Sequence, residues 1–171
     1  MSIFTTILNT IPRPLLIKIS YWLQPFVILY YKGNRFTDPI DGKSFWKLMP
    51  YGYVNHRKNA LSPSTLSLER HRLLWLFLKN ETSFFELTNR LKVLHIAPEQ
   101  CFLPIFKKQK NLDYITSDIE SPIADVKADI CNLPFKNNEF DVVFCNHVLE
   151  HIPNDTKAMQ ELYRVLKKGG F

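Results

Sequence analysis

The sequence predicts an α/β fold whose second half is a doubly wound, mostly parallel sheet with helices on its faces. Two observations carry this. Strand-like segments at 92–97, 112–117, 125–128 and 140–145, the first and last reading as buried strands, alternate with helix-forming segments, the spacing of strands joined by crossover helices. A composition of 46% hydrophobic and 22% charged residues over 171 positions is that of a chain with a packed core, and it excludes disordered, collagen-like and low-complexity classes.

That length holds one ordinary domain, or a small module and part of a larger one. Charge divides the chain near its middle. Residues 1–80 carry 11 Lys and Arg against 3 acids, whereas residues 81–171 carry 11 bases and 13 acids. The first half therefore has a field suited to an anionic membrane surface, nucleic acid or an acidic partner, or it is simply a solvated basic face. Cys101, Cys131 and Cys145 form no C-x-x-C pair, so neither a disulfide framework nor a cysteine zinc site is expected, and a reducing cytoplasm is.

Four segments follow in order: an amphipathic helical stretch at 1–32, a loop-rich module at 33–66, linking helices at 67–90 and the sheet-bearing domain at 91–171. In the first, Leu15, Leu16, Ile19, Trp22, Leu23, Phe26, Val27 and Tyr30 share one helical face. Lys18, Gln24 and Pro25 break the run before it reaches the roughly 20 apolar residues of a spanning helix. Nor is there a basic n-region with a small-residue cleavage site. The helix either lies on the inner membrane face, with Tyr21, Trp22, Tyr30 and Tyr31 at the interface, or packs on the protein's own core.

Pro, Gly, Asn and Ser dominate 33–66, the chemistry of loops and short strands. Ser67 as N-cap with Glu69 in the first turn predicts a helix over 67–79, and a second, shorter one is expected over 81–91. Further on, helices are expected over 99–108 and from an Asn154 cap to Lys168, where Gly169 and Gly170 stop it. No internal repeat is visible.

Ligands of an open parallel sheet sit at the carboxyl ends of its strands. Asp118, 21 positions beyond Ala97, stands at such an end, where two carboxylate oxygens can accept from both hydroxyls of a ribose. An ordinary turn or cap residue explains it as well.

Three later motifs are more specific. Ala128-Asp129 precedes Leu133-Pro134-Phe135; Phe140-Asp141-Val142-Val143 leads to Asn146 and to Val148-Leu149-Glu150-His151; Leu162 and Arg164-Val165-Leu166 lead to Gly169-Gly170. In this order they closely resemble the class I S-adenosylmethionine-dependent methyltransferases over about residues 91–171. The resemblance implies a Rossmann-like sheet, S-adenosylmethionine as cofactor and methyl transfer to an unknown acceptor. It implies that His95, Ala97, Pro98 and Glu99 line the methionine and ribose end, and that Asp118 holds the ribose hydroxyls. Ile119 would pack on the adenine, Asp129 accept from its amino group, the Ile130 amide meet a ring nitrogen, and Asn146 face the sulfonium side.

The first loop departs from the family. Where an acid and then G-x-G-x-G are usual, His95 replaces the acid, and Ala97, Glu99 and Cys101 stand in for glycines; a Cβ restricts close backbone approach. The Leu94-His95-Ile96-Ala97-Pro98-Glu99 loop is similar to that of a subgroup in which a zinc ribbon precedes a helix like Ser67 to Leu76. Here the knuckle positions read Asp38, Asp41, Ser62 and Thr65, so all four ligands have changed. Hydroxyls are not zinc ligands at neutral pH, and His56 and His71 lack matching spacing. A metal-free ribbon is expected. His147 and His151, at i, i+4 heading one helix, lack a third ligand; either could serve as a general base.

A nicotinamide-dependent dehydrogenase also places an acid near Asp118's distance, but G-x-G-x-x-G is missing. From another class comes a non-catalytic adaptor whose basic half docks to membrane or nucleic acid. Because the likeness stops where the family begins its fifth strand, it also implies a chain with strands one to four, an open fourth-strand edge and no activity by itself, as a fragment or a product needing a partner.

Overall fold

The computed structural model describes residues 13–52, 56–86, 88 and 90–171, which form two compact units, Met1–Glu81 and Thr82–Phe171. The start of the amphipathic stretch and Tyr53 lie outside the described residues.

The first unit opens with α1 (Arg13–Tyr31), which contains Pro25. Two antiparallel hairpins follow: β1 (Lys32–Thr37) with β2 (Ser44–Phe45), and β3 (Met49–Tyr51) with β4 (Arg57–Leu61). A bulge in β1 brings its backbone against the partner strand, so a Cβ at Gly33 would lie 2.4 Å from the Trp46 amide nitrogen. Only glycine fits there. Ile40, Phe45, Leu48, Ala60, Leu68, Trp75 and Leu78 form the core, with buried Asp38, Ser62 and Ser67 among them.

These three polar residues belong to the two knuckle loops. Asp38 Oδ1 accepts from the Ile40 amide at 2.9 Å, and Asp38 Oδ2 accepts from the Thr65 hydroxyl at 2.6 Å and the Ser67 hydroxyl at 3.3 Å. Gly42, at φ +74°, completes the first loop by donating to the Asp38 carbonyl at 2.8 Å. Thr65 is spent on Asp38, the Ser62 hydroxyl lies 3.3 Å from that of Ser64 and Asp41 pairs with Lys43 at 3.2 Å, and two carboxylates with two hydroxyls do not fit a structural zinc.

α2 (Glu69–Asn80) starts one residue later than Ser67 predicts. Ser67 is consumed by the Asp38 network, so Leu68 is the cap residue, and its amide donates to His71 Nδ1 at 3.1 Å. The expected helix over 81–91 is not formed. Residues 81–86 are turns, whose Phe84 and Glu86 carbonyls accept from Asn111 Nδ2 instead of from a helical neighbour, while Leu87 and Asn89 lie outside the described residues.

The second unit holds a four-stranded parallel sheet, β5 (Leu91–Ile96), β6 (Leu112–Asp118), β7 (Val126–Lys127) and β8 (Val142–Cys145), in the order β7-β6-β5-β8. The order reverses at β5. Alternation along β5 sends Leu94 and Ile96 to one face, against Ile130, Leu133, Phe140, Ala158 and Val165, and Val93 and His95 to the other. There Phe84, Phe102, Phe106 and Phe144 form an aromatic layer, with Phe102 and Phe106 stacked at 5.1 Å.

Between β5 and β6 the expected ten-residue helix shrinks to α3 (Leu103–Phe106), since 99–102 form turns and Pro104 lacks an amide to donate. α4 (Asp155–Val165) is capped as expected, Asn154 Oδ1 accepting from the Lys157 amide at 3.0 Å, but stops three residues short of Lys168. Leu166 has extended backbone and bridges in parallel to Phe140. The outer edge of β8 is not bare: the Val143 amide donates to the Phe171 carbonyl at 2.9 Å and the Phe171 amide to the Asp141 carbonyl at 3.2 Å.

Candidate functional site

Parallel strands align their carboxyl ends, and here those ends carry Ala97 after β5, Asp118 at the tip of β6, Ala128 and Asp129 after β7, and Asn146 after β8. Strand order reverses between β5 and its two neighbours, and it is at such a point, outside the carboxyl ends of the strands, that open parallel sheets hold ligands in a crevice. Each sequence-predicted residue except His95 lies at it.

Asp118 does two things at once. Its Oδ1 accepts from the amides of Glu120 at 2.8 Å and Ser121 at 2.7 Å, the turn role that was the alternative to ribose binding. Its Oδ2 makes no hydrogen bond among the described residues and stays open for a hydroxyl. Ile119 follows with 57% of its surface exposed, an apolar side chain at the mouth of the crevice. Asp129 likewise spends Oδ1 on the Cys131 amide at 2.8 Å, whereas the amide of buried Ile130 has no acceptor among the described residues.

Asn146 supplies the most telling atom. Its Nδ2 is buried and has no hydrogen-bond partner among the described residues, a state that costs about 1–3 kcal/mol unless a ligand accepts from it. An open carboxylate oxygen, an unpaired amide donor, an unpaired backbone donor and an exposed apolar side chain fit a nucleoside that carries a charged side arm.

The first loop differs from expectation. Ala97 adopts φ +48°, the left-handed conformation that favours glycine, and donates its amide to the Ser117 carbonyl at 2.8 Å. The loop path that glycine allows is thus kept by an alanine under strain. His95, expected to line the crevice, is fully buried below it. Its Nδ1 lies 2.7 Å from the Tyr114 hydroxyl, and its Nε2 lies 2.5 Å from Glu99 Oε2. His95 reaches the site only through Glu99, whose side chain is 15% exposed. Burial pushes the Tyr114 phenol above its ordinary value, and the Glu99 and Asp125 carboxylates add to this, so it remains a hydrogen-bond donor at neutral pH.

Cys145 ends β8 beside Asn146. Burial, helped by Glu150 and Glu99, raises its thiol to about 11, which removes it as a nucleophile at neutral pH. His147 and His151 do not share a helix, because His147 sits at φ +54° before the short 3₁₀ turn Leu149–His151. His147 Nδ1 lies 3.2 Å from Glu150 Oε1 on the exposed surface.

The sequence did not disclose what holds the Asp129 loop. Arg164 of α4 donates from Nη1 to the Phe135 carbonyl at 2.7 Å and from Nη2 to the Leu133 carbonyl at 2.9 Å. Glu161, paired with Arg164 Nε at 2.7 Å, accepts from the Leu133 amide at 2.8 Å. Glu161 and Arg164 stand one helical turn apart, and that i, i+3 spacing was the only available signal.

Residues 84–171, slightly more than half of the chain, match the family model described as a methyltransferase domain. An uncharacterised protein of Methanocaldococcus jannaschii is 54% identical over 43 residues, 25% of this chain and 19% of that protein. The 2-phytyl-1,4-naphtoquinone methyltransferase of Nostoc punctiforme is 45% identical over 47 residues, 28% of this chain and 20% of its own length. The demethylmenaquinone methyltransferase of Staphylococcus epidermidis is 42% identical over 55 residues, 32% and 22%. The chain thus spans about a fifth of the length of these curated relatives. A solved SAM-dependent methyltransferase of Aquifex aeolicus aligns at 18% identity over 54% of this chain and 62% of that one, with a TM-score of 0.43. The family match, which spans the whole parallel sheet, places the chain among the class I S-adenosylmethionine-dependent methyltransferases.

Proposed function

We propose that this chain binds S-adenosylmethionine at the carboxyl ends of β5, β6, β7 and β8 and serves methyl transfer to an acceptor nucleophile. The observation that carries this is the pair of unsatisfied groups on the two strands flanking β5: the open Oδ2 of Asp118 and the buried, unpartnered Nδ2 of Asn146. When bound, S-adenosylmethionine supplies a methyl group on a sulfonium, already electrophilic. The chain's task is then to bind, orient and desolvate. Asp118 Oδ2 accepts from the ribose, Ile119 covers the base, Asp129 and the Ile130 amide meet its polar edge, and Asn146 orients the side arm. Ala97, Pro98 and Glu99 form the floor, with Glu99 fixed from below by His95.

Two of the relatives are named as methyltransferases of 2-phytyl-1,4-naphtoquinone and of demethylmenaquinone, and their aligned segments cover only 28% and 32% of this chain. They support the cofactor rather than one acceptor. A thiol held protonated at Cys145 and a Tyr114 phenol held neutral leave neither as a ready base, so a proton of an oxygen or nitrogen acceptor would pass to solvent or to a histidine at the rim such as His147.

Calorimetry with S-adenosylmethionine and S-adenosylhomocysteine tests the site. Asp118→Ala weakens binding by about 1–3 kcal/mol, the cost of unpaired hydroxyl donors; an unchanged dissociation constant refutes the assignment.

A further inference from the structure

α1 is oriented against the ordinary rule for a helix on a globular surface. At 100° per residue, Leu15, Ile19, Trp22, Leu23, Phe26, Leu29 and Tyr30 occupy an arc of about 120°, and all of them are exposed, Trp22 by 71%, Phe26 by 65% and Leu29 by 71%. The other side carries half-buried Ser20, Gln24 and Ile28, and Gln24 Nε2 donates to the Ser64 carbonyl. A polar residue is anchored inward while the aromatic stripe points out. Single exposed apolar residues need no explanation, but a contiguous stripe of this kind marks a surface that is covered in use.

Charge says by what. Lys32, Arg35, Lys43 and Lys47 are exposed on β1, β2 and the loops beside the carboxyl end of α1. Trp46 ties this basic group to the stripe: it stacks with Tyr31 at 6.1 Å and donates from Nε1 to the Tyr30 carbonyl at 3.2 Å. Where the two meet, a groove of about 630 Å³ runs between apolar walls from Pro25, Ile28, Leu29 and Phe45, with Lys32 and Lys43 at its lining. Lys43 also pairs with Asp41 at 3.2 Å on the exposed surface, a contact a phosphate would share or replace; apolar depth beside these ammonium groups suits an anionic amphiphile. Among the described residues no helix is long and apolar enough to cross a membrane.

We infer that α1 and the first hairpin form a docking face for a bilayer rich in anionic phospholipid, with Trp22, Phe26 and Leu29 inserted below the headgroups and Lys32, Arg35, Lys43 and Lys47 paired with phosphates. Insertion and charge act together, since neither one alone gives firm attachment. This does not depend on cofactor binding or on methyl transfer.

The test is sedimentation of the full chain with vesicles of phosphatidylcholine, alone or mixed with phosphatidylglycerol, at low and high salt. The protein pellets with the mixed vesicles, less so at high salt, and its tryptophan emission shifts to the blue. The double variant Trp22→Ser, Phe26→Ser partitions at least about tenfold more weakly, the loss expected from two exposed-to-inserted aromatic side chains. Trp22→Phe still pellets but loses much of the blue shift, which separates insertion from misfolding. Lys32→Glu with Lys47→Glu removes the preference for phosphatidylglycerol. Wild-type protein left in the supernatant, or serine variants that pellet like wild type, overturns the inference. So does a dimer, seen by sedimentation velocity without vesicles, that the serine variants abolish while vesicles bind neither form; the stripe would then meet a second copy of the chain.

Discussion

The Thr65 hydroxyl donates to Asp38 Oδ2 at 2.6 Å across 27 residues of sequence. Two of the four knuckle positions, Asp38 and Thr65, are thereby joined directly. Ser67 adds a second donor to the same oxygen, and Arg72 Nη1 holds the Ser67 carbonyl at 2.6 Å. A metal ties its knuckles by replacing each ligand's solvent; a buried carboxylate does the same by accepting from several donors at once, provided that all of them are satisfied.

Asp38→Ala should therefore cost about 3 kcal/mol of unfolding free energy in the first unit, since it strands the Thr65 and Ser67 hydroxyls and the Ile40 amide together. Asp38→Asn should cost less, because one amide oxygen keeps part of the set. Urea unfolding followed by tryptophan emission reads both. A chelator should leave the midpoint unchanged and metal analysis should find no stoichiometric zinc; stoichiometric zinc lost together with stability would show that carboxylates and histidines rebuilt the site.

The Glu161–Arg164 pair predicts an acid limb for the second unit. The Arg164 hydrogen bond holds the Glu161 carboxyl below its ordinary 4.5, with the Leu133 amide adding to it and burial opposing. A depressed folded value means that the contribution is complete above pH 4.5 and drains as pH falls through the lower folded value. Glu161→Gln should flatten the loss of stability below pH 4.5. Arg164→Lys should not rescue Arg164→Ala, because one ammonium cannot reach both the Leu133 and Phe135 carbonyls. In both Arg164 variants the Asp129 loop loses its anchor, so cofactor binding should weaken several-fold by calorimetry. An unchanged affinity would show that the loop holds its shape without the clamp.

The strands at 92–97 and 140–145 were legible because they are largely apolar, as a parallel sheet with covered sides requires, and the one at 112–117 by its spacing, despite Asp113, Thr116 and Ser117. Strand-end acids and the Asn146 position were legible because motif spacing places them. Short-range patterning failed where tertiary bonds took over. Helix formers in 81–91 yielded to Asn111, which claims the Phe84 and Glu86 carbonyls. Ser67 forms no helix cap, since its Oγ accepts from the Thr65 hydroxyl at 2.7 Å instead of from a helix amide. His95 looked like a pocket residue, and the aromatic layer of Phe102, Phe106 and Phe144 around its ring could not be foreseen from β5 alone. The outward stripe of α1 was visible as a periodicity, but periodicity does not say which side faces the protein.

Ala97 carries the last expectation. At φ +48° an L-residue meets its own carbonyl neighbour through Cβ, a cost of about 1–2 kcal/mol that glycine avoids. Glycine repays part of this through the entropy of the unfolded chain, roughly 0.5–1 kcal/mol. Ala97→Gly should therefore leave stability unchanged or raise it slightly, whereas a β-branched residue pays the same backbone strain and adds crowding, so Ala97→Val should destabilise by more than 1 kcal/mol or so. The cofactor responds in its own way. Removing the methyl opens the backbone to closer approach but frees the loop between Ile96 and Glu99, whose Pro98 is buried and whose Ala97 amide is bound to Ser117. Because those two anchors persist in Ala97→Gly, affinity for S-adenosylmethionine should hold or improve. A glycine variant that is both less stable and weaker in binding would mean that the methyl packs productively, and that the left-handed conformation is not the reason glycine was dispensable at this position.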